Sequence, residues 1–232
     1  MHMKSFCEFT ACITLLLALL SFELAHASSS AFVCERSMER TSSLLLKTQA
    51  AYENVAHYSA DFRQYSFLAA LDVSEQSTGK MYFSRPGKMR WEYSAPDEQI
   101  FVTNDGVLWL YQPLDKQLEL GNFSDAFITD LPVSFLMGVG NLRQKFDLKS
   151  ACHSSEGLVL ELSPKRAKDE EALKGFKLLV SSEDYRPLGA EVEDVSGNVT
   201  AFILTNSTIL DDADGSLYKI DVPDGTDVID RR

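Results

Sequence analysis

Residues of the types that do chemistry are sparse in this sequence. The histidines at positions 57 and 153 stand alone, one at the end of a helical stretch and one in a loop, and a solitary histidine in such a place is read as structural or solvated. There is no G-x-S-x-G, no H-E-x-x-H, no phosphate-binding loop and no dinucleotide fingerprint. The stretch Gly138-Val139-Gly140-Asn141 lacks the glycine spacing that a phosphate cradle needs. Carboxylates are abundant, but they fall at turns or at alternate strand positions such as Glu119, Glu161 and Glu193, with nothing to pair them for acid–base work. Enzyme activity is therefore not expected. One residue does stand out. In "KMYFSRPGKMRWEY", residues 80–93, every second position from Met81 is Met81, Phe83, Arg85, and then Met89, Trp91, Tyr93. Arg85 is a permanent cation in line with an apolar face, beside a Pro-Gly turn.

The N-terminus reads as a targeting segment. Lys4 supplies a positive start, "ACITLLLALL" (11–20) is an apolar run too short to span a bilayer, and "AHA" (25–27) is an A-x-A cleavage site. Cleavage after Ala27 leaves an exported chain of residues 28–232, expected to be a single domain. Cys7 and Cys12 leave with the signal, so Cys34 and Cys152 remain as an even pair in an oxidising compartment, where a disulfide or two free thiols are both open readings. The formal charge is −12, and loss of Lys4, Glu8 and Glu23 leaves −11. That sign excludes nucleic acid and anionic membrane surfaces as ordinary partners.

Residues 35–57 are predicted to form a helix. Leu44, Leu45, Thr48, Tyr52, Val55 and Ala56 lie near one side, with Lys47, Gln49 and Glu53 away from it. From Tyr58 the period changes from 3.6 to 2. "YSADFRQYSF", "TGKMYFS", "KMRWEYS", "EQIFVTN", "VLWLYQP" and "KQLELGN" are strand-length runs separated by Pro-Gly, Ala-Pro-Asp, Asn-Asp-Gly and Pro-Leu-Asp. "FSDAFITDLPVSFLMGVGN" (123–141) breaks the pattern with a short apolar helical insert. Strands resume in "LVLELSP", "GFKLLVS", "RPLGAEVED", "VTAFILTNSTIL" and "LYKIDVP", with the charged "KRAKDEEALK" (165–174) as a hairpin tip. The predicted architecture is mainly β, a curved antiparallel sheet of about eleven strands with one long helix and a helical insert. Phe62, Met81, Phe83, Met89, Trp91, Tyr93, Leu108 and Leu110 sit in adjacent strands. They fit an ordinary core or an apolar ligand cavity, and periodicity alone does not choose between these.

The ordered set Phe62-x-Gln64, Gly79, Arg85-Pro86, Trp91, Pro96, Asp105-Gly106, Leu108-Trp109 and Tyr111, with the closing "YKIDVPDGTDVID", resembles the LolA family of periplasmic outer-membrane lipoprotein carriers. The resemblance spans roughly residues 38–230. It implies an incomplete, half-open antiparallel β-barrel of about eleven strands with a helical lid, in a periplasmic carrier that binds no ATP or metal and is expected to be a monomer. The implied cargo is the acyl chains of lipoproteins. The implied partners are an inner-membrane LolCDE-type ABC transporter and an outer-membrane LolB-like receptor. Residue by residue, Arg85 corresponds to the arginine that latches the lid over the empty cavity. Met89 corresponds to a rim position, Trp91 to a cavity wall, and Phe135, Leu136 and Met137 to the lid helix. Tyr52 stands where the family usually has leucine. That departure, the length and the acidity keep two alternatives open: a paralogue carrying another lipid or glycolipid, and an adaptor that senses lipoproteins.

Overall fold

The structure is a computed structural model that describes residues 30–38, 42–122, 141–166 and 173–232. The signal segment and the lid residues Phe135, Leu136 and Met137 lie outside the described residues.

The switch in hydropathy period at residue 57 is where helix gives way to sheet. A short strand β1 (Arg36–Met38) and helix α1 (Ser42–Glu53) precede β2 (His57–Leu68), β3 (Val73–Ser84), β4 (Lys88–Ala95), β5 (Gln99–Asn104), β6 (Val107–Gln112) and β7 (Gln117–Asn122). A one-turn helix α2 (Leu142–Lys145) then leads into β8 (Phe146–Ser154), β9 (Gly157–Pro164), β10 (Leu173–Val180), β11 (Pro187–Asp194) and β12 (Val199–Leu210). A 3-10 turn (Gly215–Tyr218) and β13 (Asp227–Asp230) finish the chain. Among the described residues, thirteen strands form one open sheet in the order β1-β8-β9-β10-β11-β12-β2-β3-β4-β5-β6-β7-β13. Every pairing is antiparallel except β13 on β7. Ten of the eleven strand runs read from the sequence are β2–β7 and β9–β12, and β8 brings the number to eleven; the other two, β1 and β13, cap the edges and are three and four residues long, too short to show a period.

Four local expectations are corrected. The predicted helix over 35–57 is shorter, because residues 36–38 pair with β8 and Cys34 is bonded to Cys152. Gln49, expected on the polar side, is buried, and its Oε1 accepts the Leu142 N–H at 2.8 Å, tying α1 to α2. "LYKIDVP" is not a strand: Asp214 caps the 3-10 turn and Tyr218 is buried beside Ser84. β8 went unread because a bulge between Leu148 and Ser150 shifts its alternation by one residue, so Phe146 and Ala151 both reach the core.

The inner face carries the main core. Phe62, Met81, Phe83, Met89, Trp91, Phe146, Leu160, Leu162, Phe176, Leu178, Val180, Ala190, Phe202 and Leu204 pack under Leu44, Leu45 and Tyr52 of α1 and Leu142 of α2. Each large apolar side chain among them, fully buried, contributes about 1.5–3 kcal/mol. The outer face has a smaller cluster, where Phe32 packs on Cys152, Val159 and Leu179. Residues 30–34 thus run across the back of the sheet. Glycine at 189 makes room for them, since a Cβ there would lie 3.0 Å from the Phe32 ring and 2.4 Å from the Phe202 carbonyl oxygen. Glu191 secures the same segment by accepting hydrogen bonds from the Ala31 N–H and the Ser30 hydroxyl while paired with Lys177.

Candidate functional site

The site begins with a register. Met81 pairs with Trp91, and Phe83 with Met89, so the β3–β4 hairpin places four large side chains on the inner face and leaves Arg85 in the turn beyond them. Gly79, opposite Phe62 and Tyr93, has no room for a side chain: a Cβ would sit 2.8 Å from the Phe62 ring and 1.9 Å from the Glu92 carbonyl oxygen. The Phe62 ring occupies that space. It lies 4.6 Å from the Trp91 ring and 4.9 Å from the Tyr93 ring, centroid to centroid. Phe202 meets Trp91 edge-on at 5.0 Å. The Trp91 Nε1–H donates to Met89 Sδ at 2.7 Å, and the Tyr93 hydroxyl donates to Gln64 Oε1 at 2.7 Å. Each polar tip in this aromatic wall therefore has a partner, as burial requires. Burial pushes the Tyr93 hydroxyl well above its ordinary pKa.

Arg85 closes one end of the wall. Its Nε donates to the Val55 carbonyl and its Nη2 to the Tyr52 carbonyl, both at 3.0 Å, while its backbone N–H donates to the Ala56 carbonyl at 2.9 Å. The guanidinium lies 4.6 Å from the Tyr52 ring centre and 5.3 Å from that of Phe83. These carbonyls are at and just past the last turn of α1, and that turn has no basic residue of its own. The end of a helix leaves carbonyls unsatisfied and negatively polarised, and Arg85 brings both donors and charge to them. Burial pushes the Tyr52 hydroxyl up, with the Arg85 cation beside it acting the other way. The arginine expected to latch a lid thus clamps the C-terminal end of α1 in the described residues; lid residues 123–140 lie outside them.

Beneath that clamp is a cavity of about 30 Å³, lined by Ala51, Tyr52 and Val55 of α1, Tyr58 of β2, Met81 and Phe83 of β3, Arg186 and Pro187 beside β11, and Leu204 of β12. Pockets that hold organic ligands run to ~300–1,000 Å³. The described space is apolar and too small for an acyl chain. Separating α1 from the sheet would enlarge it, and the Arg85 hydrogen bonds cross that boundary.

Phe62, Met81, Phe83, Met89 and Trp91 are brought together and buried, as is Tyr52 against them. Met89, expected at a rim, is 2% exposed and forms part of the wall. Tyr93 is half-buried beside them. Leu108 and Leu110 are also half-buried, with Leu110 opposite Phe101 in the β5–β6 pairing. Cys34 and Cys152 form a disulfide behind the sheet, away from the cavity. Leu204, Pro187 and Arg186 were missed. They come from strands more than 90 residues downstream, and a sequence period does not say which distant strand will be a neighbour.

A model of the family described as "Outer membrane lipoprotein carrier protein LolA" matches residues 53–221. The outer-membrane lipoprotein carrier protein of Chromohalobacter salexigens is 30% identical over 181 residues, covering 78% of this chain and 83% of that one. The protein of the same description from Azotobacter vinelandii is 27% identical over 216 residues, covering 93% and 96%. Among solved structures, an uncharacterized conserved protein from Thermus thermophilus shares the fold with a TM-score of 0.54 at 15% identity, over 82% of this chain and 98% of that one. The chain belongs to the LolA family of outer-membrane lipoprotein carrier proteins.

Proposed function

We propose that this protein is a periplasmic carrier that takes the acyl chains of lipoproteins between α1 and the inner face of the sheet, and that Arg85 holds the empty form shut. The signal segment, cleaved after Ala27, delivers residues 28–232 to the periplasm as one domain. A LolCDE-type transporter in the inner membrane loads the carrier, and a LolB-like receptor at the outer membrane unloads it. The protein catalyses no reaction.

The observation that carries this reading is Arg85 bonded to the end of α1 above an apolar cavity of about 30 Å³. Each acyl CH₂ removed from water is worth about 0.8 kcal/mol, so long chains bind strongly to any apolar space that admits them. A carrier must also release them. A closed state stabilised by Arg85 subtracts its own opening cost from the net affinity, which keeps release possible. Tyr52, Phe62, Met81, Phe83, Met89, Trp91, Tyr93, Leu108 and Leu110 form the acyl-contacting wall in this reading, and Phe135, Leu136 and Met137 the lid. The test is Arg85→Leu, with Arg85→Gln as a variant that adds no apolar surface. Both are expected to fold, to bind an acyl probe more tightly and to pass lipoprotein to a receptor more slowly. Transfer by both variants at the wild-type rate would refute the latch.

A further inference from the structure

The strands of the sheet run between two ends. At the end that carries Arg85, the turns 85–87, 105–106, 155–156 and 181–186 contain arginine, proline, glycine, serine, acids and one tyrosine. Among the described residues that end also exposes Ile209 of β12, whereas the opposite end gathers several large apolar side chains. There the β2–β3 turn reads Leu68-Ala69-Ala70-Leu71-Asp72-Val73, and Leu68, Leu71 and Val73 are all exposed, Leu71 to 70%. Val195, in the adjoining β11–β12 turn, is exposed too, and so is Leu114 of the β6–β7 turn at the same end. Large apolar side chains cost free energy when held in water, and gathering them on one end of a sheet marks a contact surface.

This surface is preorganised. β12 is the neighbour of β2, so the two apolar turns lie side by side. Asn198 Oδ1 accepts the Ala69 N–H at 3.0 Å, locking one turn to the other. Asp194 in turn accepts from Asn198 through its backbone N–H at 2.9 Å and its side-chain Nδ2 at 2.8 Å. The β2–β3 and β11–β12 turns are thus tied to each other, with the β6–β7 tip further along the same edge. Apolar tips spread over three hairpins along one edge suit an extended surface as partner. The described charges nearest them are Asp72, Asp97, Glu98, Asp115 and Asp194, against Lys116, with Lys165 and Arg166 further along the same edge after β9. Carboxylates repel an anionic surface but pair with exposed ammonium groups.

We propose that this end of the sheet is a bilayer-contact edge that touches zwitterionic, ammonium-bearing lipid surfaces of the phosphatidylethanolamine type, with Leu68, Leu71, Val73 and Val195 entering the interface. The proposal rests on the carrier reading, since a protein that collects or delivers acyl-anchored cargo must approach a membrane. Contact is shallow and reversible, because a few leucine and valine side chains bury less than the single acyl chain that gives only marginal anchoring.

The test is flotation of the mature chain with phosphatidylethanolamine/phosphatidylcholine vesicles, beside vesicles rich in phosphatidylglycerol. Wild type is expected to float with the first and to bind the second less. Leu71→Asp and the double variant Leu68→Ser/Leu71→Ser are expected to lower the bound fraction by about tenfold. Because these positions are exposed, the variants keep the wild-type circular dichroism and acyl-probe affinity. Wild type that stays with the lipid-free fraction, or variants that float as well as wild type, overturns the proposal. So do tip variants that fail in lipoprotein transfer while no form of the protein binds vesicles, since that result assigns the edge to a protein partner. Loss of acyl-probe binding in wild type would instead strike the carrier reading, so the two failures are separable.

Discussion

The two halves of the sheet that meet at the β12–β2 seam are packed differently. In the half formed by β8–β12 the inner face is mostly aliphatic: Leu160, Leu178, Val180 and Ala190 are each 0% exposed, with Phe176 among them. The half formed by β2–β6 is aromatic and methionine-rich, with a cation at its end and a cavity that it shares across the seam with Pro187 and Leu204. Branched aliphatic side chains interdigitate densely and leave little to rearrange. Flat rings and flexible thioethers repack at lower cost and suit a wall that must accommodate acyl chains. Under the proposed carrier function, the comparison separates a scaffold from an acyl-contacting wall within one continuous sheet.

The largest effect that can break this comparison comes from the scaffold. Leu178→Ala leaves a hole where no relaxation is available, and is expected to cost about 2–5 kcal/mol. Urea denaturation should show a lower midpoint with an unchanged slope, while acyl-probe affinity at low denaturant stays at the wild-type value. A change in affinity comparable to that of an Arg85 variant would show that the halves do not divide the work. The disulfide is next. Cys34–Cys152 closes a loop across a sequence separation of 118 residues and pins residues 30–34 to the back of β8–β11. Replacing both cysteines with serine is expected to cost about 2–4 kcal/mol, again without altering affinity, because the bond lies on the face away from the cavity.

Arg85 reverses the sign. Its hydrogen bonds to the end of α1 are charge-assisted, so Arg85→Gln is expected to destabilise the empty protein by about 1.5–3 kcal/mol. The same change removes part of the cost of opening, so the acyl probe should bind about tenfold more tightly. Stability falls while affinity rises, which no scaffold substitution should do. Thermal melts with and without probe measure both in one experiment.

What the sequence disclosed divides along the same seam. The aromatic half was legible, because β2–β6 alternate cleanly and are joined by short turns that fix which strand neighbours which. Arg85 stood out because a cation interrupts an apolar alternation. The aliphatic half was legible as strands, but its partners were not: nothing local says that β12 returns to pair with β2, placing Leu204 beside Phe62. The β8 bulge hid one strand by slipping its period. Gln49 was misplaced because a buried amide looks polar until the backbone N–H it serves, Leu142, is brought to it from 93 residues away.

The smallest expected effect probes the seam itself. Asp194 belongs to the aliphatic half and, through Asn198, holds the β2–β3 turn of the aromatic half. Burial acts to raise its carboxyl pKa, but hydrogen bonds from the Asn198 side chain and from the backbone N–H groups of Asn198, Ser196 and Gly197 together outweigh that and hold it below the usual carboxylate range. A depressed folded-state pKa contributes stability that is present above the unfolded value, near 3.9, and is lost as pH falls through the lower folded value. Asp194→Asn should therefore reduce stability slightly at neutral pH and flatten its decline in acid below about pH 4. The carboxylate is only half-buried, and solvent screening keeps the effect small. Amide hydrogen exchange at Ala69 gives the sharper readout, since that N–H bonds directly to Asn198. If Asp194 couples the halves, Ala69 exchanges faster in the variant and, in wild type, loses extra protection in acid beyond the intrinsic pH dependence of exchange. If Ala69 protection is unchanged, the two turns are independent and the seam joins the halves through the β12–β2 ladder alone.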